Sequence, residues 1–512
     1  MLTTIATTAI LIAFVICVWR VLNWVWLNPK KLEKWLRQQG LDGNQYRLLH
    51  GDARESSMML VEASSKPISL HHDIAPYVTP FLYQSLKKYG KNSFTWHGPT
   101  PRVTIMNPEQ IKHVFAKTNE FHRQELSPLL KLLVTGLVSH EGEKWAKHRR
   151  IINPAFHQEK LKNMLPAFYE SNRDMMNKWE ELVSDKEWIE LDVWPHLNDL
   201  TRDIISRTAF GSSHEEGKRI FQLMDELAIL IQQLVQNVYI PGWRFLPTKF
   251  NKKLKACDTE IRYLLKGIIN KREKAMKAGE VDNNDLLGML MEANSREIQE
   301  NGGGTGMSLT DVMDECKIFY FAGQETTSVL LVWTMVLLAK HPIWQTRARD
   351  EVLEVFGNNR PDFNGLNRLK IVSMIIDEVL RLYPPATQLV RSIKKETRLG
   401  NLVLPAGVEI NMPVMLVHHD RELWGDDATE FKPERFAEGV SKATKNQVSF
   451  IPFARGPRIC IGQNFALTEA KMALAMILQR FTFELSPSYA HSPILVATLH
   501  PQHGAPLILR RL

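Results

Sequence analysis

The chain has 512 residues, 44% of them hydrophobic and 23% charged, a composition that excludes a disordered or low-complexity protein. Sixty-four Lys plus Arg against 56 Asp plus Glu leave a net charge of +8 spread along the chain, which points to an anionic membrane surface or an acidic protein partner and away from nucleic acid. The four cysteines, Cys17, Cys257, Cys316 and Cys460, include no CxxC and no close pair, which excludes a disulfide scaffold and fits a reducing compartment.

Residues 2–19 carry no charge and are rich in Ile, Leu, Val, Ala and Thr, nearly enough for a bilayer-spanning helix that runs on to Leu27. Neither a basic stretch before this run nor a small-residue cleavage site after it marks a signal peptide, so residues 1–27 are expected to be an uncleaved membrane anchor. Trp19, Trp24 and Trp26 suit the interface, and Lys30, Lys31, Lys34 and Arg37 follow at once. The positive-inside rule then places everything downstream in the cytosol. Residues 28–58, basic and carrying Gly40, Gly43 and Gly51, read as a linker to a body over 59–512.

Helical periodicity dominates that body. It is clear over 158–182 and 216–238, and a long helix is expected to start at Ser308 and stop before His341-Pro342. Its centre, Gln324 to Ser328, is too polar for lipid and ordinary for a buried helix. Residues 271–307, charged and then Gly-rich, read as a solvated connection. Short strands are expected at 102–106, 402–404 and 408–410, the last two joined by the Pro405-Ala406-Gly407 turn. The expected fold class is mainly α with a small β component.

The most informative stretch is Phe453-Ala454-Arg455-Gly456-Pro457-Arg458-Ile459-Cys460-Ile461-Gly462, followed directly by an Ala- and Leu-rich helix. Gly456 and Gly462 allow tight or left-handed backbone beside Cys460, and the following helix aims free N–H groups and its positive dipole end at the sulfur. Those features favour a thiolate. A buried structural cysteine beside a glycine turn is the plainer reading of the same residues.

This stretch resembles the F-x-x-G-x-R-x-C-x-G signature of the cytochrome P450 family at every fixed position. The resemblance implies a cytochrome P450 fold over 59–512 behind a single transmembrane helix, with haem b ligated by Cys460. A thiolate ligand pushes electron density onto the iron and favours O–O cleavage. Glu378-Val379-Leu380-Arg381 resembles the family's E-x-x-R, and Pro433-Glu434-Arg435-Phe436 its P-E-R-F, so Glu378, Arg381 and Arg435 are expected to form a buried structural triad. Ala322-Gly323-Gln324-Glu325-Thr326-Thr327 resembles the oxygen-activation motif, which makes Glu325 and Thr326 the catalytic acid–alcohol pair. Trp145-Ala146-Lys147-His148-Arg149 resembles the W-x-x-x-R whose side chains reach a haem propionate. Arg458 and Arg391 are expected to add propionate contacts, and Phe453 to line the cofactor.

Within the family, Phe319 to Thr327 and Gly462-Gln463-Asn464-Phe465-Ala466 look like the plant clan that includes secologanin synthase and triterpenoid oxidases. Arg455 stands where close relatives carry a bulky apolar residue. The resemblance implies an endoplasmic-reticulum monooxygenase that oxidises a hydrophobic terpenoid, a triterpenoid first and a gibberellin or iridoid next. It would use O2 and electrons from NADPH through a separate NADPH–cytochrome P450 reductase, since no GxGxxG or P-loop is present. By family position, residues 121–138, 221–238 and 386–390 would line the substrate pocket. A P450-fold isomerase or dehydratase, and a non-enzymatic haem-binding membrane protein, are the alternatives; intact Glu325-Thr326 argues against the first.

Overall fold

A computed structural model describes residues 2–70, 73–211, 214–235, 240–280, 285–301 and 306–512. Its N-terminal helix, Leu2–Leu22, passes through a wider π-type turn, Asn23–Leu27, into the helix Asn28–Gln38. The apolar residues of the first helix are exposed all round, as a lipid-facing segment requires. The stretch expected to be a linker is instead structured against the body. Leu32 and Leu36 of Asn28–Gln38 are buried, as are Leu41 and Tyr46 beyond it, and Asp42–Gly43 pairs in parallel with the strand Ser93–His97. Periodic apolar residues between the lysines explain this: Lys31 and Lys34 face water while the leucines pack, and the buried Glu33 pairs with Lys30 and Arg37.

The central element is the helix Leu309–Lys340. A capping box starts it: the Ser308 hydroxyl accepts from the Asp311 N–H at 3.2 Å, and the Asp311 carboxylate accepts from the Ser308 N–H at 3.0 Å. His341-Pro342 ends it, because proline cannot continue the hydrogen-bond ladder. From Val329 to Ala339 every residue is buried, so this long apolar helix is core and not a second membrane span. The helices Gln158–Val183 and His214–Val235 lie where periodicity expects them; positions 236–238 fall outside the described residues. The expected connection over 271–307 is largely helical: Lys249–Ala278 runs into it, and Leu286–Asn301 buries Leu286, Leu287 and Leu290.

The β component is small and distributed. One six-stranded sheet has the order Asp42–Gly43, Ser93–His97, Thr100–Thr104, Glu409–Met412, Leu389–Ile393, Phe121–Arg123. The strands expected near 102–106 and 408–410 belong to it, each displaced by about two residues, and Leu402–Leu404 pairs with Thr397–Leu399. Segments as short as Phe121–Arg123 carry no periodicity and were not foreseen. Their pairing matters most for the site, because the antiparallel register sets Arg123 directly opposite Arg391.

Candidate haem and oxygen site

The Cys460 loop is held by a short set of backbone constraints. The Cys460 N–H donates to the Phe453 carbonyl at 2.9 Å, closing the turn. Gly456 has φ of +72°, and a Cβ there would lie 2.6 Å from the Phe115 carbonyl oxygen, so only glycine fits. The second left-handed residue is Ala454, with φ of +59°; Gly462, where the sequence suggested such freedom, has φ of −88° and caps the helix Gln463–Arg480.

Cys460 Sγ opens onto an internal cavity of about 300 Å³. It is exposed to that cavity but shielded from bulk water by the surrounding protein. Burial pushes its thiol up; the Gly462 N–H and the charges of Arg149 and Arg123 oppose the shift without cancelling it. The thiolate that the sequence suggested is therefore not a property of the loop alone, and bonding to a metal is what would deprotonate the sulfur. The walls are apolar on both sides of the sulfur: Phe453, Ile461 and Phe465 on one, Ile318, Ala322 and Leu330 of the central helix on the other.

One rim of the cavity is cationic. Arg123, Arg149 and Arg458 line it, with Trp145. The Arg149 guanidinium donates to the Ile459 carbonyl at 2.9 Å. Arg458 donates to the His140 carbonyl at 3.0 Å, pairs with Glu141 at 2.8 Å, and lies 4.4 Å from the centre of the Trp145 ring. Arg391 is fully buried just behind the rim; it does not line the cavity but sits across the strand pair from Arg123. Like charges directly opposite one another are unfavourable. Burial and the neighbouring Arg123 and Arg458 lower the Arg391 guanidinium to about 9, and burial with Arg458 lowers Arg123 to about 10. Buried Nε atoms of Arg123 and Arg458 lack hydrogen-bond partners.

An apolar cavity lined by a cysteine thiol and by arginines whose buried Nε atoms lack partners fits haem, an apolar macrocycle bearing two carboxylates. Trp145, Arg149 and Arg458, expected to reach the propionates, line the cavity. Arg123 and Glu141 were missed, for their short loop and strand offer no pattern to read.

On the opposite wall Thr326 lines the cavity and its hydroxyl donates to the Ala322 carbonyl at 2.9 Å. Glu325, expected beside it, does not line the cavity. Its carboxylate is buried behind the helix, accepting from the Thr498 hydroxyl at 2.8 Å and hydrogen-bonded to His500 Nε2 at 2.5 Å. Burial raises this carboxyl, but His500, Thr498 and Arg202 outweigh it and hold it below the usual range. The reason is helical geometry: consecutive residues point about 100° apart, so the alcohol and the acid cannot share a face. The two partners come from the hairpin Pro493–Leu495 and Leu499–Pro501, which the Trp333 indole fixes to the central helix by donating to the Leu499 carbonyl at 2.7 Å. Gly323 has a packing role as well: a Cβ there would meet Ile205 at 2.7 Å.

Of the segments expected to line a substrate pocket, residues 121–138 contribute Arg123, Leu137 and Val138, and residues 386–390 contribute Ala386 and Leu389. The described part of 221–238 does not reach this cavity; Phe221 packs edge-on against Tyr320 at 5.0 Å instead.

A family model, Cytochrome P450, matches residues 78–505. The chain belongs to the cytochrome P450 family. It is 59% identical to cytochrome P450 72A397 of Kalopanax septemlobus over 96% of this chain and 95% of that one. It is 58% identical to cytochrome P450 CYP72A219 of Panax ginseng, over 99% and 98%, and 58% identical to cytochrome P450 72A15 of Arabidopsis thaliana, over 97% and 96%. It is thus a plant P450 monooxygenase, an enzyme whose cofactor is haem b with an axial cysteine thiolate. The exposed N-terminal helix agrees with a membrane-anchored protein.

Behind the cysteine loop lies the charged scaffold expected around Glu378. Arg381 and Glu378 are both fully buried and form a bidentate pair at 2.7 Å, and Arg381 also donates to the carbonyls of His418, Ala428 and Glu430. Arg435 approaches Glu378 at 3.8 Å, yet its closer carboxylate is Asp427 at 3.0 Å. The triad is thus a tight pair bridged to a second acid. His418 and His419, a superficial metal pair in sequence, are tied to the backbone at Ile451 and Leu382.

Proposed function

We propose that this chain is an endoplasmic-reticulum-anchored monooxygenase with its catalytic body in the cytosol, oxidising a C–H bond of a hydrophobic plant terpenoid, a triterpenoid first. Dioxygen and NADPH-derived electrons delivered by NADPH–cytochrome P450 reductase are the co-reactants. The observation that carries the reading is the apolar cavity with Cys460 on one face and Thr326 on the other.

Cys460 is the iron ligand in this reading, and Arg123, Arg149, Arg458 and Trp145 hold the propionates, with Arg391 reinforcing Arg123 from across the strand pair. Haem bound there supplies dioxygen activation, which the thiolate assists by donating electron density. Thr326 holds a hydroxyl at the cavity wall, where its single O–H can turn from the Ala322 carbonyl to donate into the cavity. Glu325 supplies negative charge behind the helix, held there by His500 and Thr498. Phe453, Leu137, Val138 and Leu389 keep water away and select an apolar substrate. The basic surface and the anchor favour an acidic reductase at the membrane.

A reduced carbon-monoxide difference spectrum of microsomal protein is the first test, with a thiolate Soret band expected. Yeast expressing the chain with a plant reductase and fed a terpenoid panel then tests the substrate class. No oxidised product from any triterpenoid, gibberellin or iridoid would reject that class while leaving the ligand assignment intact.

A further inference from the structure

Away from the haem slot, the start of the helix Gly142–Ile152 meets the first turns of the central helix, and titratable groups gather there. His148 and Glu315 are both fully buried, and His148 Nδ1 lies 2.6 Å from Glu315 Oε1. Where Glu315 accepts in this contact, Nδ1 is the donor, and a neutral His148 ring keeps its lone pair on Nε2. That Nε2 is buried and without a hydrogen-bond partner, and so is Nε2 of the half-buried His140. The two rings stand 4.5 Å apart, and ligand atoms of His140, His148 and Glu315 lie within 4.8 Å of one another.

A further carboxylate stands beside His148. Asp311 Oδ1 lies 3.9 Å from His148 Nε2, while its carboxylate serves the capping box at Ser308 through Oδ2. Ligand atoms around a tetrahedral zinc ion sit ~3.3 Å apart, given Zn–N distances of about 2.0–2.1 Å, so zinc would draw this contact in by roughly half an ångström and the cluster together by side-chain rotation.

We propose that His140 Nε2, His148 Nε2 and Asp311 form a binding site for a borderline-soft divalent cation, zinc first, with Glu315 orienting His148 from behind. Imidazole nitrogens with one carboxylate suit such ions better than calcium or magnesium, and a carboxylate behind a ligating histidine is a recurrent arrangement. Lys144 now neutralises Asp311 at 2.6 Å, and half of its side chain is exposed, so the ion would enter from solvent by displacing this ammonium. The site would clamp the two helices together. The His140 carbonyl already accepts from Arg458, which ties the clamp to the arginine rim.

The test uses the tag-free, haem-loaded full chain, equilibrated with Zn2+ alone and desalted. Zinc is counted against iron by mass spectrometry, and its ligands are read at the zinc absorption edge. One zinc per iron, with a nitrogen and oxygen shell at about 2.0–2.1 Å, is expected. His140→Gln, at a half-buried position, should bring the ratio to background with haem content unchanged. Lys144→Gln should tighten binding, and Glu315→Gln should weaken it by about 10- to 100-fold. Because Glu315 and His148 are fully buried and their variants risk misfolding, His140→Gln carries the decision. A ratio far below one in the parent protein, or a ratio that His140→Gln leaves unchanged, would overturn the proposal.

Discussion

The two walls of the cavity are built in opposite ways. On the cysteine side, the residues that shape the site lie close together in the sequence: Phe453 to Gly462 close on themselves through the backbone hydrogen bonds Cys460 to Phe453 and Ile459 to Gly456, with a glycine pressed against Phe115. On the oxygen side, the central helix presents Thr326 to the cavity, but the position of its acid is set by Thr498 and His500, more than 170 positions further along the chain. A wall made from one continuous loop tolerates few substitutions and has one geometry. A wall whose charged group is anchored by a distant hairpin depends on how that hairpin packs.

Perturbations of each wall sharpen this contrast. Cys460→Ala should abolish the thiolate Soret band, the largest effect, read by the carbon-monoxide difference spectrum; a band that survives would remove the ligand assignment. Next comes the scaffold beneath the loop. Glu378→Gln leaves the buried Arg381 without its carboxylate, a loss of about 3–5 kcal/mol, and should appear as a collapse in thermal stability and haem-loaded yield.

The two glycines separate rigid from yielding neighbours. Gly456→Ala meets a backbone carbonyl at a left-handed residue, whereas Gly323→Ala meets the mobile end of Ile205. The first should therefore cost more stability than the second, whose overpacking is worth about 1–3 kcal/mol; equal melting temperatures would contradict the rigid-loop picture.

On the oxygen wall, Thr326→Val and Glu325→Gln should keep the Soret band and lose coupling, with more peroxide released per NADPH consumed. A drop in haem content instead would make both residues structural.

The smallest effect is one of acid stability. Burial raises the Asp427 carboxyl, but Lys432 and Arg435 outweigh it and bring it to about 2, below its ordinary 3.8. A depressed carboxylate contributes stability that is present above pH 3.8 and lost as pH falls toward 2. Asp427→Asn should therefore flatten the acid limb of the unfolding curve in that window and leave neutral pH less affected than Glu378→Gln does.

Much of the cysteine wall was legible because its chemistry is local. Cys460, Phe453 and Arg458 sit in one ten-residue stretch, and Trp145 with Arg149 share a helix face at a spacing of four. The segment 28–58 has the composition of a basic linker, yet Leu32, Leu36 and Leu41 recur between its charges and pack. Residues 286–301 were misread because a charged surface masked the buried Leu286, Leu287 and Leu290.

What the sequence determined by itself was the membrane helix, the long core helix and the loop that presents Cys460, all of which follow from neighbouring residues. Tertiary structure decided the rest. It set Arg123 opposite Arg391, turned Glu325 away from Thr326 toward His500, and brought His140 and His148 to Asp311 and Glu315. Those are contacts between segments far apart in the chain. Their geometry depends on strand register and helix packing, which no local run of residues encodes.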